Sequence, residues 1–167
     1  MLAFLDWPMF ADALGRLAVA TLLGGIVGLE REINGHWAGL RTHMMVSLGA
    51  AVFVTTAIPI VEDQPASISR IIQGIAAGIG FLGAGTILKL GEQERIKGLT
   101  TASSIWLAAA LGTTAGLAQY ALAAAGLCIS LFVLAVLRPI ERALIKRHER
   151  LAGRNRGQRT SDTPSDK

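Results

Sequence analysis

From Gly98 to Leu137 the chain runs forty residues without one charged side chain. As a single helix that run would be about 60 Å long, roughly twice the ~30 Å hydrocarbon core of a bilayer. It must therefore fold back on itself. The polar step Gly116-Leu117-Ala118-Gln119-Tyr120 is where the turn is expected. Two spans result, 98–116 and 120–137, with Lys97 and Arg138 emerging on the same side of the membrane.

Three more stretches are long and apolar enough to cross lipid. The first covers 10–29 and carries Asp12 and Arg16; the second, 44–61, is uncharged and ends near Pro59; the third, 71–88, is uncharged. The chain is thus expected to be an all-α integral membrane bundle of about five transmembrane helices. Its transmembrane domain would occupy 1–140, followed by a basic tail over 141–167 that is disordered from about 153. Charged residues make up 17% of the 167, against roughly 25% in a soluble domain. Five spans use most of the chain and leave no room for a soluble catalytic domain. The N-terminal MLAFLDWPMF has no basic n-region and contains Asp6, so the first span is expected to be retained rather than cleaved.

Charge asymmetry orients the bundle. Nine of the sixteen Lys and Arg residues lie at or after Arg138. Loop 30–43 adds Arg31 and Arg41, and loop 89–97 adds Lys89, Arg95 and Lys97. With five spans all of these fall on one face. The opposite face receives the N-terminus, the acidic stretch Glu62-Asp63-Gln64-Pro65 and the 116–120 turn, with Arg70 as its only cation. The positive-inside rule then places the N-terminus outside and the C-terminus in the cytoplasm. The basic residues flank apolar spans and are not interleaved with stacking aromatics, which argues against nucleic acid. A leaflet rich in anionic lipid is the partner they fit.

Several residues stand out as functional candidates. The third span holds Gln73 and then five glycines in twelve residues, Gly74, Gly78, Gly80, Gly83 and Gly85, interrupted by Phe81. Two readings stand: tight helix packing through the Gly74/Gly78 pair, within one chain or in a dimer, and a bent span lining a solute path. Arg16 is a charge inside a span, and Asp12, four residues earlier, is placed to pair with it. The stretch Gly28-Leu29-Glu30-Arg31-Glu32 and the stretch Gly39-Leu40-Arg41-Thr42-His43 bracket a short loop dense in both signs of charge. Glu30 and Glu32 offer hard oxygens to a divalent cation, while Arg31 and Arg41 are close enough to neutralise them in a structural cap. His36 and His43 are seven residues apart across a tryptophan-containing loop, a poor arrangement for a shared metal. Thr100, Thr101, Ser103 and Ser104 either bond back to their own helix or line a polar cavity with the third-span glycines. The lone Cys128 gives no disulfide or CxxC site. No GxSxG, P-loop or HExxH motif occurs, so no cofactor, catalytic residue or enzymatic activity is expected.

The stretches GLERE, AGLRTHMMVSLGA, QGIAAGIGFLGAGTIL and KGLTTASSIWLAAALG, in this order, resemble the signature of the MgtC/SapB family over about residues 12 to 138. Members of that family are bacterial inner-membrane proteins of about five spans, and its founders are linked to growth at low magnesium and survival inside macrophages. The resemblance implies a modulator of membrane energetics, including restraint of a proton-driven ATP synthase, that serves magnesium limitation or acid stress. It also implies a homodimer with a membrane ATPase or transporter as partner. Glu92 matches the family's functional glutamate. The magnesium-virulence members have Asn where this chain has Thr100, Cys where it has Leu107, and a soluble domain where a short basic tail follows Arg138, so the resemblance is to the shorter SapB-like branch. The competing expectation is a secondary transporter or channel for a small ion such as Mg2+. In that case Arg16, Gln73, the third-span glycines, Thr100 and Thr101 should converge on one water-accessible cavity.

Overall fold

A computed structural model describes residues 7–60, 65–90 and 95–137. Five helices carry the fold: α1 (Trp7–Ile33), α2 (Leu40–Ala57), α3 (Pro65–Gly85), α4 (Leu99–Gly116) and α5 (Tyr120–Leu137). A 3-10 turn, Ile58–Ile60, follows α2. Two three-residue strands, β1 (Leu88–Leu90) and β2 (Arg95–Lys97), pair antiparallel with Leu88 opposite Lys97. The chain is an all-α membrane bundle with one short ribbon where the sequence reading has only a loop. Residues up to Cys128 form one compact unit. Those from Ile129 belong to a second, of which 129–137 are described, as helix. The acidic stretch at 62–64, Glu92 and the 138–167 tail lie outside the described residues.

Helix α1 runs past its apolar stretch at both ends, and α2 and α3 begin before theirs. Helix α3 stops at Gly85, short of the expected 88, where the ribbon begins. The first connection spans only 34–39, so Arg31 lies in the last turn of α1, and Arg41 and His43 lie in the first turns of α2. Glu32 accounts for the early start of α2, because its carboxylate accepts the Leu40 N–H at 2.7 Å. A negative charge at a helix N-terminus is favourable. At the end of α1, Gly35 adopts φ 73. The Gly35 N–H bonds the Glu32 carbonyl at 3.0 Å, and the His36 N–H bonds the Arg31 carbonyl at 3.0 Å, the paired bonds of a Schellman stop.

Four helices are long and apolar enough to cross a membrane: α1, α2 with its 3-10 turn, α3 and α5. Six hydroxyl residues lower the hydropathy of α4, and its position explains why they are tolerated. This helix touches α1, α2 and α3, and ten of its residues, from Thr101 to Gly116, are buried. Four of the six hydroxyls bond carbonyls of the preceding turn: Ser103 to Leu99, Ser104 to Thr101, Thr113 to Ala109 and Thr114 to Leu111.

The core is a three-helix seam of small residues. Helices in lipid gain little from apolar burial against each other and cohere through close packing and hydrogen bonds. In α1, a Cβ on Gly24 would lie 2.5 Å from the His43 carbonyl oxygen, and one on Gly28 would lie 2.8 Å from Leu40 Cα. In α4, a Cβ on Gly112 would overlap the Ser47 carbonyl, and one on Gly116 would lie 3.1 Å from Ala51 Cα. Both pairs have GxxxG spacing, and both let α2 backbone into contact. Ser47 fixes the junction by donating to the Ala20 carbonyl at 2.7 Å.

The glycines of α3 behave differently. A Cβ on Gly74, Gly78, Gly80 or Gly85 meets nothing within 4 Å; only Gly83 touches a neighbour, with Ala102 3.6 Å away. Packing within one chain, one of the readings of the third-span glycines, therefore applies to Gly83 alone.

Candidate functional site

The end of the bundle that holds the 34–39 connection and the ribbon gathers most of the chain's described polar chemistry. Helix α1 ends there on Glu30-Arg31-Glu32. Arg31 is 3% exposed, with Nη1 3.7 Å from Glu30 Oε2. The other Glu30 oxygen accepts from the Asn34 amide at 2.5 Å, and Glu32 caps α2. Arg41 and Thr42 are exposed. The two carboxylates are therefore engaged locally, one by Arg31 and Asn34 and one by the α2 backbone. Among the described residues no three His, Cys, Asp or Glu side chains come together as a metal-holding group.

Behind this cluster His43, fully buried, joins α2 to α4. Its Nδ1 lies 2.8 Å from the Gly39 carbonyl and its Nε2 3.0 Å from Ser104 Oγ. A carbonyl only accepts, so Nδ1 carries a hydrogen. In the neutral ring Nε2 is then an acceptor, and the single Ser104 hydrogen is shared between Nε2 and the Thr101 carbonyl, 2.9 Å away. Ser104 is also buried. The pair is sealed from substrate and works as a clamp between helices.

Beside the clamp opens a cavity of about 570 Å³. Gly35–Ala38 and Thr42 form one wall, Leu82, Gly85 and Thr86 a second, and Lys97, Gly98, Thr101 and Ile105 a third. Gly98 makes this corner: its φ is 97 and a Cβ there would overlap the Thr86 carbonyl oxygen. Thr101 is 8% exposed.

Arg16 lies at the far end of α4. Its Nε pairs with Asp12 at 2.7 Å and its Nη1 donates to the Gly116 carbonyl at 3.0 Å. Gly116 is fifteen residues along α4 from Thr101, about 22 Å at 1.5 Å per residue.

Of the residues singled out in the sequence, Thr42, Gly85 and Thr101 meet at the cavity. Thr100 is exposed and does not line it. Gln73 and Gly80 are exposed on α3, and Phe81 is 83% exposed. Gly78 lines a separate apolar groove between α2 and α3, shared with Met45 and Phe53. The convergence of Arg16, Gln73, the third-span glycines and the two threonines on one cavity is not found. Sequence reasoning missed Ser47 and Lys97, offered Ser104 a bond within its own helix but not His43, and missed the Gly24/Gly28 and Gly112/Gly116 pairs. GxxxG spacing was a signal for both glycine pairs. Nothing local marks the role of Ser47.

These features define a class: a small helical membrane protein with a closely packed three-helix seam and a polar cavity at one end. Residues 17–143 match the MgtC family, and the chain belongs to that family. Among relatives, SrpB of Synechococcus elongatus is 39% identical over 137 residues, covering 76% of this chain and 75% of SrpB. MgtC of Brucella abortus is 40% identical over 138 residues, covering 83% of this chain but 56% of that protein. This chain thus spans little more than half the length of the Brucella relative. YhiD of Escherichia coli K12, described as a candidate magnesium transporter, is 34% identical over 149 residues, covering 86% of this chain and 68% of YhiD. No solved structure matches.

Proposed function

We propose that the protein is a non-enzymatic regulator in the bacterial inner membrane that adjusts transport or energetics under magnesium limitation or acid stress. In this reading the N-terminus is outside and the C-terminus cytoplasmic. The protein acts as a homodimer through contact with another membrane protein, such as a proton-driven ATPase. The observation that carries it is the α1–α2–α4 seam. Backbone meets backbone at Gly112/Ser47 and at Gly24/His43, a packing that favours a rigid scaffold over a solute path between those three helices. The description of YhiD supports the magnesium context. Transport of Mg2+ is the second reading, favoured by that same description.

Reconstitution separates the two. Liposomes containing the purified chain and an internal Mg2+ indicator should show no flux above empty liposomes under a magnesium gradient or a proton gradient. Saturable flux proportional to protein would overturn the regulator and establish the transporter. Topology is checked by reporter fusions at Gln64 and Lys167, expected on opposite sides of the membrane.

A further inference from the structure

The cavity at the ribbon end is lined by donors, with no carboxylate among the described lining residues. Helix α4 starts on Gly98 without any side-chain cap. The first N–H to find a helical acceptor is that of Ala102, 2.8 Å from the Gly98 carbonyl. The N–H groups of Leu99, Thr100 and Thr101 thus have no intrahelical partner, and the helix dipole adds partial positive charge there.

Thr101 is the independent observation. It is more than nine-tenths buried, lines the cavity, and its hydroxyl has no hydrogen-bond partner among the described residues. Four of the other five α4 hydroxyls, Ser103, Ser104, Thr113 and Thr114, bond back to carbonyls, so Thr101 departs from the habit of its own helix. Lys97 and the Thr42 hydroxyl complete the ring of donors.

We propose that this cavity binds a phosphate group. The helix start at Thr101, hydroxyls and an ammonium are donors of the kind that phosphate selects. At about 570 Å³ the space falls in the range of small-molecule sites, and Leu82 and Ile105 give it an apolar wall. The phosphate is carried by an anionic lipid headgroup or by a soluble phosphate compound. The site stands independently of the regulator reading.

The test uses the full chain in detergent micelles. Thermal unfolding is followed against inorganic phosphate, with acetate as the carboxylate control. Native mass spectrometry then compares retention of phosphatidylglycerol and phosphatidylcholine. We expect a saturable rise in Tm with phosphate, preferential retention of phosphatidylglycerol, or both. A response to phosphatidylglycerol alone assigns the lipid source, and a response to inorganic phosphate assigns the soluble one. Lys97→Gln and Thr101→Val should each weaken the response about tenfold, while Arg41→Gln, outside the cavity, should leave it unchanged. Lys97 is exposed, so its variant keeps the test intact if Thr101→Val folds poorly. The proposal fails if phosphate acts no more than acetate and phosphatidylglycerol is retained no more than phosphatidylcholine. It also fails if Arg41→Gln weakens the response as much as Lys97→Gln.

Discussion

The chain carries GxxxG spacing on α1, on α3 and on α4, and uses it in two of the three. On α1 and α4 the glycines face α2 backbone, with Gly24, Gly28 and Gly112 closer than any Cβ tolerates and Gly116 at a tight 3.1 Å. On α3 the Gly74/Gly78 pair instead faces open space. The residue type and spacing are the same; the neighbour differs. Helix α2 supplies Ser47, Ala50, Ala51 and Val54 to the seam, small enough for two helices to approach it at once. Helix α3 makes its main helix contact with α4 and leaves Phe81 and Leu82 exposed. A glycine pair therefore marks where close approach is permitted, and its partner decides whether close approach occurs.

The largest effect should come from adding one methyl group to each kind of pair. Gly112→Ala puts a Cβ into the Ser47 carbonyl, a backbone atom held by the Ser47–Ala20 bond, and should cost roughly 3 kcal/mol or more. Gly78→Ala meets nothing in the protomer and should be neutral or stabilising by up to about 1 kcal/mol through helix propensity. Unfolding by SDS in mixed micelles measures both. A loss at Gly78 comparable to that at Gly112 would mean that a second copy covers α3, and would redraw the contrast.

Next in size is the clamp beside the seam. His43→Leu keeps most of the volume and removes the bonds to the Gly39 carbonyl and Ser104, so a loss of about 2 kcal/mol is expected in the same assay. A loss under about 0.5 kcal/mol would show that glycine packing alone holds α2 to α4. Smaller still is Arg16. It donates to the Gly116 carbonyl at the negative end of the α4 dipole, and Arg16→Met should cost about 1 kcal/mol. Asp12 is the more exposed partner, and Asp12→Asn should change stability by only a few tenths of a kcal/mol.

Much of the helical architecture was legible, because lipid imposes a length and a charge pattern that the sequence displays directly. The forty-residue uncharged run had to turn, and it turns at 117–119. Helix ends were less legible. Leu40 starts α2 because Glu32 reaches it from eight residues away, a contact that hydropathy does not encode. The cavity was half visible: Thr101 and Thr42 were candidates by chemistry, but Lys97 was counted only as loop charge. Its place beside Thr101 depends on the left-handed turn at Gly98 and on the ribbon. The glycine assignment missed because density of glycine on α3 outweighed the sparser pairs on α1 and α4, whose importance lies in the helix opposite.

The two helix stops allow the finest comparison. Both α1 and α4 end in the same paired bonds. After α4, the Ala118 N–H bonds the Ala115 carbonyl at 2.9 Å and the Gln119 N–H bonds the Thr114 carbonyl at 2.9 Å. At α1 the left-handed position is Gly35; at α4 it is Ala118, with φ 58. A Cβ in that conformation costs about 1–2 kcal/mol, partly offset because glycine loses more backbone entropy on folding. Ala118→Gly should therefore stabilise the chain by about 0.5–1 kcal/mol, raising the SDS midpoint without altering the slope of the transition. Gly35→Ala should cost a similar amount, since a Cβ there meets no neighbour within 4 Å and only the backbone conformation opposes it. If Ala118→Gly destabilises instead, the α4–α5 turn depends on the alanine methyl for packing, and the two stops are alike only in their hydrogen bonds.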